Sequence, residues 1–168
     1  MKKKINIRFA EKSDLIQITD IYNQAIRSKI STGDTEIFLP EERLDWFKHY
    51  DEKTFPVYVA EIDKNIVAYA TLTPYRNARP AMRKIAEVSF FVDFKHHKKG
   101  IGSLILNYIM KDCSRLKKDT LIAYILDANP ASARLLEKFG FEIWGKLPNA
   151  IDFETHRSTH LIYGKSLK

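Results

Sequence analysis

The residues best suited to chemistry lie where an apolar stretch, Ile85–Val92, meets a basic turn, Asp93-Phe94-Lys95-His96-His97-Lys98-Lys99. Gly100-Ile101-Gly102-Ser103 follows directly. From Gly100 onward, Ile101, Leu104, Ile105, Tyr108, Ile109, Cys113 and Leu116 recur at helical spacing. A helix that begins here leaves backbone N–H groups unpaired and carries partial positive charge at its start. Glycines at alternate positions let the backbone approach a phosphate closely, and His97, Lys98 and Lys99 add donors and charge around it. The arrangement suits a pyrophosphate. Taken alone, Gly100 and Gly102 would serve equally well as residues of a tight turn. Two other phosphate-binding designs are excluded. The dinucleotide fingerprint needs a third glycine where Ser103, Leu104 and Ile105 stand, and the nucleoside-triphosphate loop needs a Gly-Lys-Ser/Thr ending.

The second candidate is Glu87, an acid inside the otherwise apolar stretch Ile85–Val92. A carboxylate is costly to bury unless paired, and burial raises its pKa toward values useful in proton transfer. The alternatives are a solvent-facing side chain or a pairing with Arg83 or Lys84. The loop before it, residues 76–84, carries Arg76, Arg79 and Arg83 and suits a carboxylate-bearing ligand. His156 and His160 stand four apart in a Thr- and Arg-rich stretch that reads as strand, where both would fall on one face, but two histidines without a third ligand do not make a metal site, and none is read here.

The elements that must position these groups follow from periodicity and turn chemistry. Residues 5–9 alternate as a short strand, and Ser13 is placed to cap a helix running to about Arg27. Residues 31–39 form a polar loop containing Gly33, and Pro40 opens a second helix anchored by Trp46 and Phe47. Val57–Ile62 and residues 66–73 are apolar strands joined by a hairpin turn at Asp63-Lys64-Asn65. Residues 121–126 form a continuous apolar run, short enough for a buried strand. Asn129-Pro130 opens a short helix that stops at Gly140, and residues 141–144 and 161–163 belong to the final strands. The order is strand, two helices, three strands, helix, strand, helix, two strands. This is an α/β pattern: one mixed sheet of about seven strands flanked by about four helices, in a single domain spanning residues 1–168.

Composition bounds the function further. A chain of 168 residues with 45% hydrophobic and 29% charged residues has room for one folded domain. Its formal charge of +7 would attract nucleic acid, an acidic protein or a small polyanion alike. The basic residues are dispersed, densest at Lys2–Lys4, residues 95–99 and residues 115–118, and no RNA-binding aromatic signature or zinc-finger spacing accompanies them. A nucleic-acid partner is therefore not expected. The basic opening Met1-Lys2-Lys3-Lys4 lacks the apolar stretch of a secretion signal, and no apolar run is long enough to span a bilayer. The single cysteine, Cys113, has no disulfide partner. A cytoplasmic protein that does not bind membranes is the expectation.

The segment from Asp93 to Ser103 resembles the acyl-CoA-binding signature of the GNAT acetyltransferase superfamily, Arg/Gln-x-x-Gly-x-Gly/Ala, with His97 in the Arg/Gln slot. A second superfamily element is matched by Asn129-Pro130-Ala131-Ser132-Ala133-Arg134-Leu135-Leu136-Glu137-Lys138-Phe139-Gly140-Phe141. Within the superfamily the chain is most similar to the phosphinothricin acetyltransferase group. That likeness is carried by Asp20-Ile21-Tyr22-Asn23, Glu42-Arg43 with Trp46-Phe47, Val59-Ala60-Glu61, Pro74-Tyr75-Arg76, and Glu87 ahead of Phe90-Phe91-Val92. The resemblance implies a splayed sheet with acetyl-CoA as cosubstrate, its pantetheine arm lying between the strands of Phe90–Val92 and residues 121–126. The backbone of Phe90, Phe91 and Val92 would hold the pantetheine and the thioester carbonyl. His97, Lys98, Lys99, Gly100, Ile101, Gly102 and Ser103 would hold the pyrophosphate, and Asn129 the CoA arm.

Acetyl transfer to an amine needs a neutral nitrogen, so a base must take its proton. The resemblance gives that role to Glu87, acting directly or through water. It places Arg76, Arg79 and Met82 at the substrate and implies a homodimer. Where many superfamily members carry a proton-donating tyrosine, this chain has Leu136. The acceptor implied is a small-molecule amine, such as an amino acid or an analogue of the phosphinothricin or methionine sulfoximine type. A protein terminus and a catalytically inactive acyl-CoA sensor are the alternatives.

Overall fold

A computed structural model describes residues 4–168, so Met1, Lys2 and Lys3 of the basic opening lie outside the described residues. Seven strands form one sheet in the order β1-β2-β3-β4-β5-β7-β6. They are β1 (Asn6–Phe9), β2 (Val57–Ile62), β3 (Asn65–Pro74), β4 (Ile85–Val92), β5 (Thr120–Leu126), β6 (Glu142–Asp152) and β7 (Arg157–Ser166). Four α-helices accompany them: α1 (Leu15–Ser28), α2 (Leu44–Lys48), α3 (Ile101–Asp112) and α4 (Pro130–Lys138). The mixed sheet with four helices agrees with the element order read from the sequence.

The strands read as continuous apolar runs because both faces of the sheet are covered. Along β2, Tyr58 and Ala60 pack with Ile101, Ile105, Leu106 and Ile109 of α3, while Val57 and Val59 pack with Ile18 and Ile21 of α1. Asp63 and Lys64 adopt φ of 51° and 68°, a tight two-residue hairpin in which Asn65 already pairs with Ile62 as the first residue of β3. Pro40 opens a 3-10 turn, Pro40–Arg43, that leads into α2.

Three expectations are corrected. Ser13 is not the cap of α1. Asp14 takes that position, and its carboxylate accepts the Glu11 N–H at 2.8 Å and a two-pronged hydrogen bond from Arg8 at 2.7 and 2.9 Å. The last two strands are longer than their apolar cores suggested, because main-chain pairing continues where side chains face solvent. His156 and His160 do not share a strand face: His156 lies in the β6–β7 turn, stacked on Phe153 at 4.9 Å, and His160 lies within β7.

The decisive feature is between β4 and β5. They run parallel and pair only at Ile85↔Thr120, Ala86↔Leu121 and Glu87↔Ile122. Beyond that point each strand keeps its outer partner. β4 pairs with β3 as far as Val92↔Ala68, and β5 with β7 as far as Leu126↔His160. Their inner edges part, which leaves a fork with main-chain groups that need another partner.

Candidate active site

The fork opens into a cleft of about 710 Å³. One wall is residues 88–92 of β4, the other Ala123, Tyr124 and Ile125 of β5, and the far end is the start of α3. Asn129 and Leu135, at the cap and in the body of α4, and Ile21 and Ala25 of α1 close the sides. Of the residues read as acyl-CoA ligands, Phe90, Phe91, Val92, His97, Lys98, Gly100, Ile101, Gly102 and Ser103 line this cleft, as does Asn129. Lys99 does not; its ammonium folds back onto the Lys95 carbonyl at 2.8 Å and braces the turn.

The turn into α3 depends on unusual backbone. Lys98 adopts φ +60° and Gly100, the N-cap, φ +79°, which is favourable only without a side chain. At Gly102 a Cβ would stand 2.9 Å from Leu135 Cδ2, so a side chain there would push the end of Leu135 aside where α3 meets α4. His97 is no solvated bystander. Its Nε2 is 3.0 Å from the Val92 carbonyl oxygen and its ring packs on Phe94 at 4.7 Å. Asn129 caps α4 by accepting the Ser132 N–H at 3.1 Å and donates to Ser31 Oγ at 3.3 Å.

A second cavity, of about 480 Å³, opens on the α1 face of the same fork. Its floor is a ladder of cross-strand pairs from β3 and β4: Tyr69↔Phe91, Thr71↔Ser89 and Thr73↔Glu87. The period of two along each strand turns these side chains to one face, while Ala86 and Val88 turn to the other and enter the core. Tyr22, Arg43, Trp46 and Tyr50 form the walls, and Tyr124 and His160 the β5–β7 side. Ser31, Ser89, Phe91 and Tyr124 line both cavities, so the two meet at the fork.

Glu87 sits on the last rung before β4 and β5 separate, facing this junction. Burial pushes its carboxyl above the ordinary value, and the Ser89 hydroxyl pulls partly back. No ion pair forms between Glu87 and Arg83 or Lys84. The Arg83 guanidinium donates to the Pro80 carbonyl and Lys84 approaches Asp119. Burial lowers the pKa of His160, whose ring stands 5.1 Å from Tyr124, and the imidazole is neutral near pH 7. Burial also raises the Tyr124 hydroxyl, which is therefore protonated at that pH.

The loop over the second cavity is clamped by α1. Asn23 donates to the Phe38 carbonyl at 2.8 Å and accepts its N–H at 3.0 Å, and the Tyr22 hydroxyl donates to Asp34 at 2.5 Å. Burial and the Asp34 carboxylate push the Tyr22 hydroxyl up to about 12. Arg76, Arg79 and Met82 do not line either cavity. They belong to the β3–β4 connection, whose ends lie one pair beyond Glu87, at Pro74↔Ala86. Leu136 is fully buried in the core and faces no cavity. Tyr22, Arg43, Trp46, Tyr50, Tyr69 and Tyr124 were not read as site residues. Tyr22, Arg43 and Trp46 entered only as carriers of the family likeness, and the apolar runs that hold Tyr69 and Tyr124 do not reveal which face is hollow.

Residues 7–161 match the acetyltransferase (GNAT) domain family. The chain belongs to that family. It is 36% identical to YwnH of Bacillus subtilis (strain 168) over 164 residues, 97% of this chain and 99% of that protein. It is 30% identical to the L-methionine sulfoximine/L-methionine sulfone acetyltransferase of Salmonella typhimurium over 144 residues, 86% of this chain and 84% of that one. The crystal structure of a phosphinothricin acetyltransferase from Sinorhizobium meliloti in complex with AcCoA superposes with a TM-score of 0.89. That likeness holds at 25% identity over 96% of this chain and 88% of that chain. The protein is an N-acetyltransferase of the GNAT fold.

Proposed function

We propose that this enzyme transfers the acetyl group of acetyl-CoA to the amine of an amino acid or amino-acid analogue, of the phosphinothricin or methionine sulfoximine type. The observation that carries the reading is the meeting of two cavities at the fork, one long enough for an extended thioester and one holding a half-buried acid. The unpaired strand edges at residues 88–92 and 123–126 can pair with the amides of a pantetheine arm. The N-terminus of α3, with Gly100 in its left-handed conformation and Lys98 beside it, suits a pyrophosphate. Phe90, Phe91, Val92, His97, Lys98, Lys99, Gly100, Ile101, Gly102, Ser103 and Asn129 are the cofactor-binding set, with His97 and Lys99 acting by shaping the turn.

Bound acetyl-CoA supplies the activated acetyl group. Glu87 accepts a proton from the acceptor ammonium, directly or through water, and frees its lone pair for attack on the thioester carbonyl. A C–N bond forms, the C–S bond breaks with the electron pair leaving on sulfur, and the nitrogen's second proton passes to that thiolate or to water. Backbone N–H groups of the open β4 edge stabilise the oxyanion formed between the two events. Arg76, Arg79 and Met82 form the rim by which an anionic acceptor enters. The exposed strand β6, with Ile143, Trp144 and Leu147 each more than 40% exposed, supports a homodimer joined through that edge. No described helix is long and apolar enough to cross a membrane, and the buried free Cys113 suits a reducing cytoplasm.

The test is thiol release from acetyl-CoA with a panel of amino acids, methionine sulfone, methionine sulfoximine and phosphinothricin, beside a peptide bearing a free N-terminus. Turnover of the amino acids but not the peptide is expected. Turnover of the peptide alone would replace the reading with a protein acetyltransferase.

A further inference from the structure

Arg43 is a buried charge with no counter-charge. It lines the cavity that holds Glu87 and retains only 6% exposure. Its guanidinium lies 3.9 Å from the ring centre of Trp46, 4.5 Å from that of Tyr22 and 5.3 Å from that of Phe38. Its Nε is buried without a hydrogen-bond partner, and no carboxylate among the described residues forms an ion pair with it. By contrast, Arg8, Arg115 and Arg157 each hold an aspartate at 2.6–2.7 Å.

The neighbouring acids are committed elsewhere. Glu42 accepts the Leu39 N–H at 2.6 Å, Asp45 pairs with Lys48 at 2.8 Å, and Glu41 is exposed. A guanidinium cannot shed its proton to escape burial, and an unpaired buried charge is expensive. Stacking on aromatic rings engages the faces of the guanidinium; apart from its approach to the Tyr69 hydroxyl, its in-plane edge is left for a planar, two-oxygen acceptor. Arg76 and Arg79, in contrast, are exposed and outside the cavity lining, where a charge pair contributes little.

We propose that Arg43 is the carboxylate-binding residue of the acceptor site, holding the substrate's α-carboxylate while its amine faces Glu87. This rests on the amino-acid reading above. It assigns acceptor selectivity to α2's entry turn rather than to the β3–β4 loop.

The experiment compares L-methionine sulfone with its des-carboxy amine as acceptors for the full-length wild type, Arg43→Gln and Arg43→Lys. The wild type favours the amino acid. Arg43→Gln loses roughly 10–100-fold in kcat/KM for it, mostly through KM, the range of a charged hydrogen-bonded contact. The des-carboxy amine is affected far less, so the preference collapses. Arg43→Lys falls between, because a point charge lacks the two-pronged fork. Acetyl-CoA-induced thermal stabilisation, read in parallel, reports whether each variant folds. Should Arg43→Gln not fold, the Lys variant and the wild-type preference decide. Equal losses on both acceptors, or a wild type indifferent to the carboxylate, would overturn the proposal while the enzyme reading stands. A wild type that acetylates no α-amino acid overturns both.

Discussion

Replacing Glu87 by Gln keeps the shape of the side chain on the last paired rung of β4 and removes its capacity to accept a proton. Positioned general bases contribute about 10²–10⁴-fold, or roughly 2.7–5.4 kcal/mol of barrier. Glu87 is only half-buried and its cavity is open to solvent, so water can relay part of the proton traffic. That argues for the lower half of the range, a fall of about 10²–10³ in kcat. Glu87 is absent from the lining of the larger cleft, proposed above for acetyl-CoA, so acetyl-CoA affinity should be unchanged. The pH dependence gives a sharper signature. Burial raises the Glu87 pKa, so wild-type kcat/KM should climb as pH rises through that value. The variant should lose this limb and recover activity only as the acceptor amine deprotonates in bulk. Stability must move oppositely. A carboxyl whose folded pKa is raised destabilises the fold above its unfolded pKa, so the Gln variant should melt higher at pH 8 and not at pH 4. The assay is thiol release from pH 5.5 to 9.5 beside melting curves at both pH values. A variant that keeps wild-type kcat and the same pH profile would refute the base assignment.

Two further outcomes test the frame around the site. Gly100→Ala places a side chain at φ +79° with open space around the Cβ, so strain alone acts. The cost is about 1–2 kcal/mol, lowering Tm by roughly 2–8 °C in calorimetry and weakening acetyl-CoA binding by titration. Asp14→Asn removes a charged anchor shared by Arg8 and the Glu11 N–H. Burial pushes the Asp14 carboxyl up, but Arg8 and the Glu11 N–H more than offset it and leave it below 3.8. The stability it contributes is therefore present above pH about 4 and lost as pH falls through the lowered value. Acid unfolding followed by circular dichroism should show the variant destabilised at pH 7 by about 1–3 kcal/mol and nearly matching the wild type at pH 2.

Much of this enzyme was legible in the chain itself because its signals are local. The Gly100-x-Gly102 turn, the Asn129 cap and the apolar runs of β2 to β5 are set by backbone sterics and burial acting over a few residues. They sufficed for the element order, the family and most of the residues that line the larger cleft. Glu87 stood out because an acid in an apolar strand is costly anywhere.

Tertiary structure alone decided where the sheet opens. Nothing in the runs of β4 and β5 marks that their pairing stops at Glu87↔Ile122; beyond it each strand continues only against its outer partner, β3 or β7. The second cavity was likewise hidden. Tyr22, Arg43, Trp46, Tyr69 and Tyr124 come from five separate elements, and each alone reads as ordinary core or surface. Arg43 is the clearest case. Three acids within two residues of it suggest a neutralised surface arginine, yet backbone geometry sends each of them elsewhere and leaves the guanidinium facing the cavity.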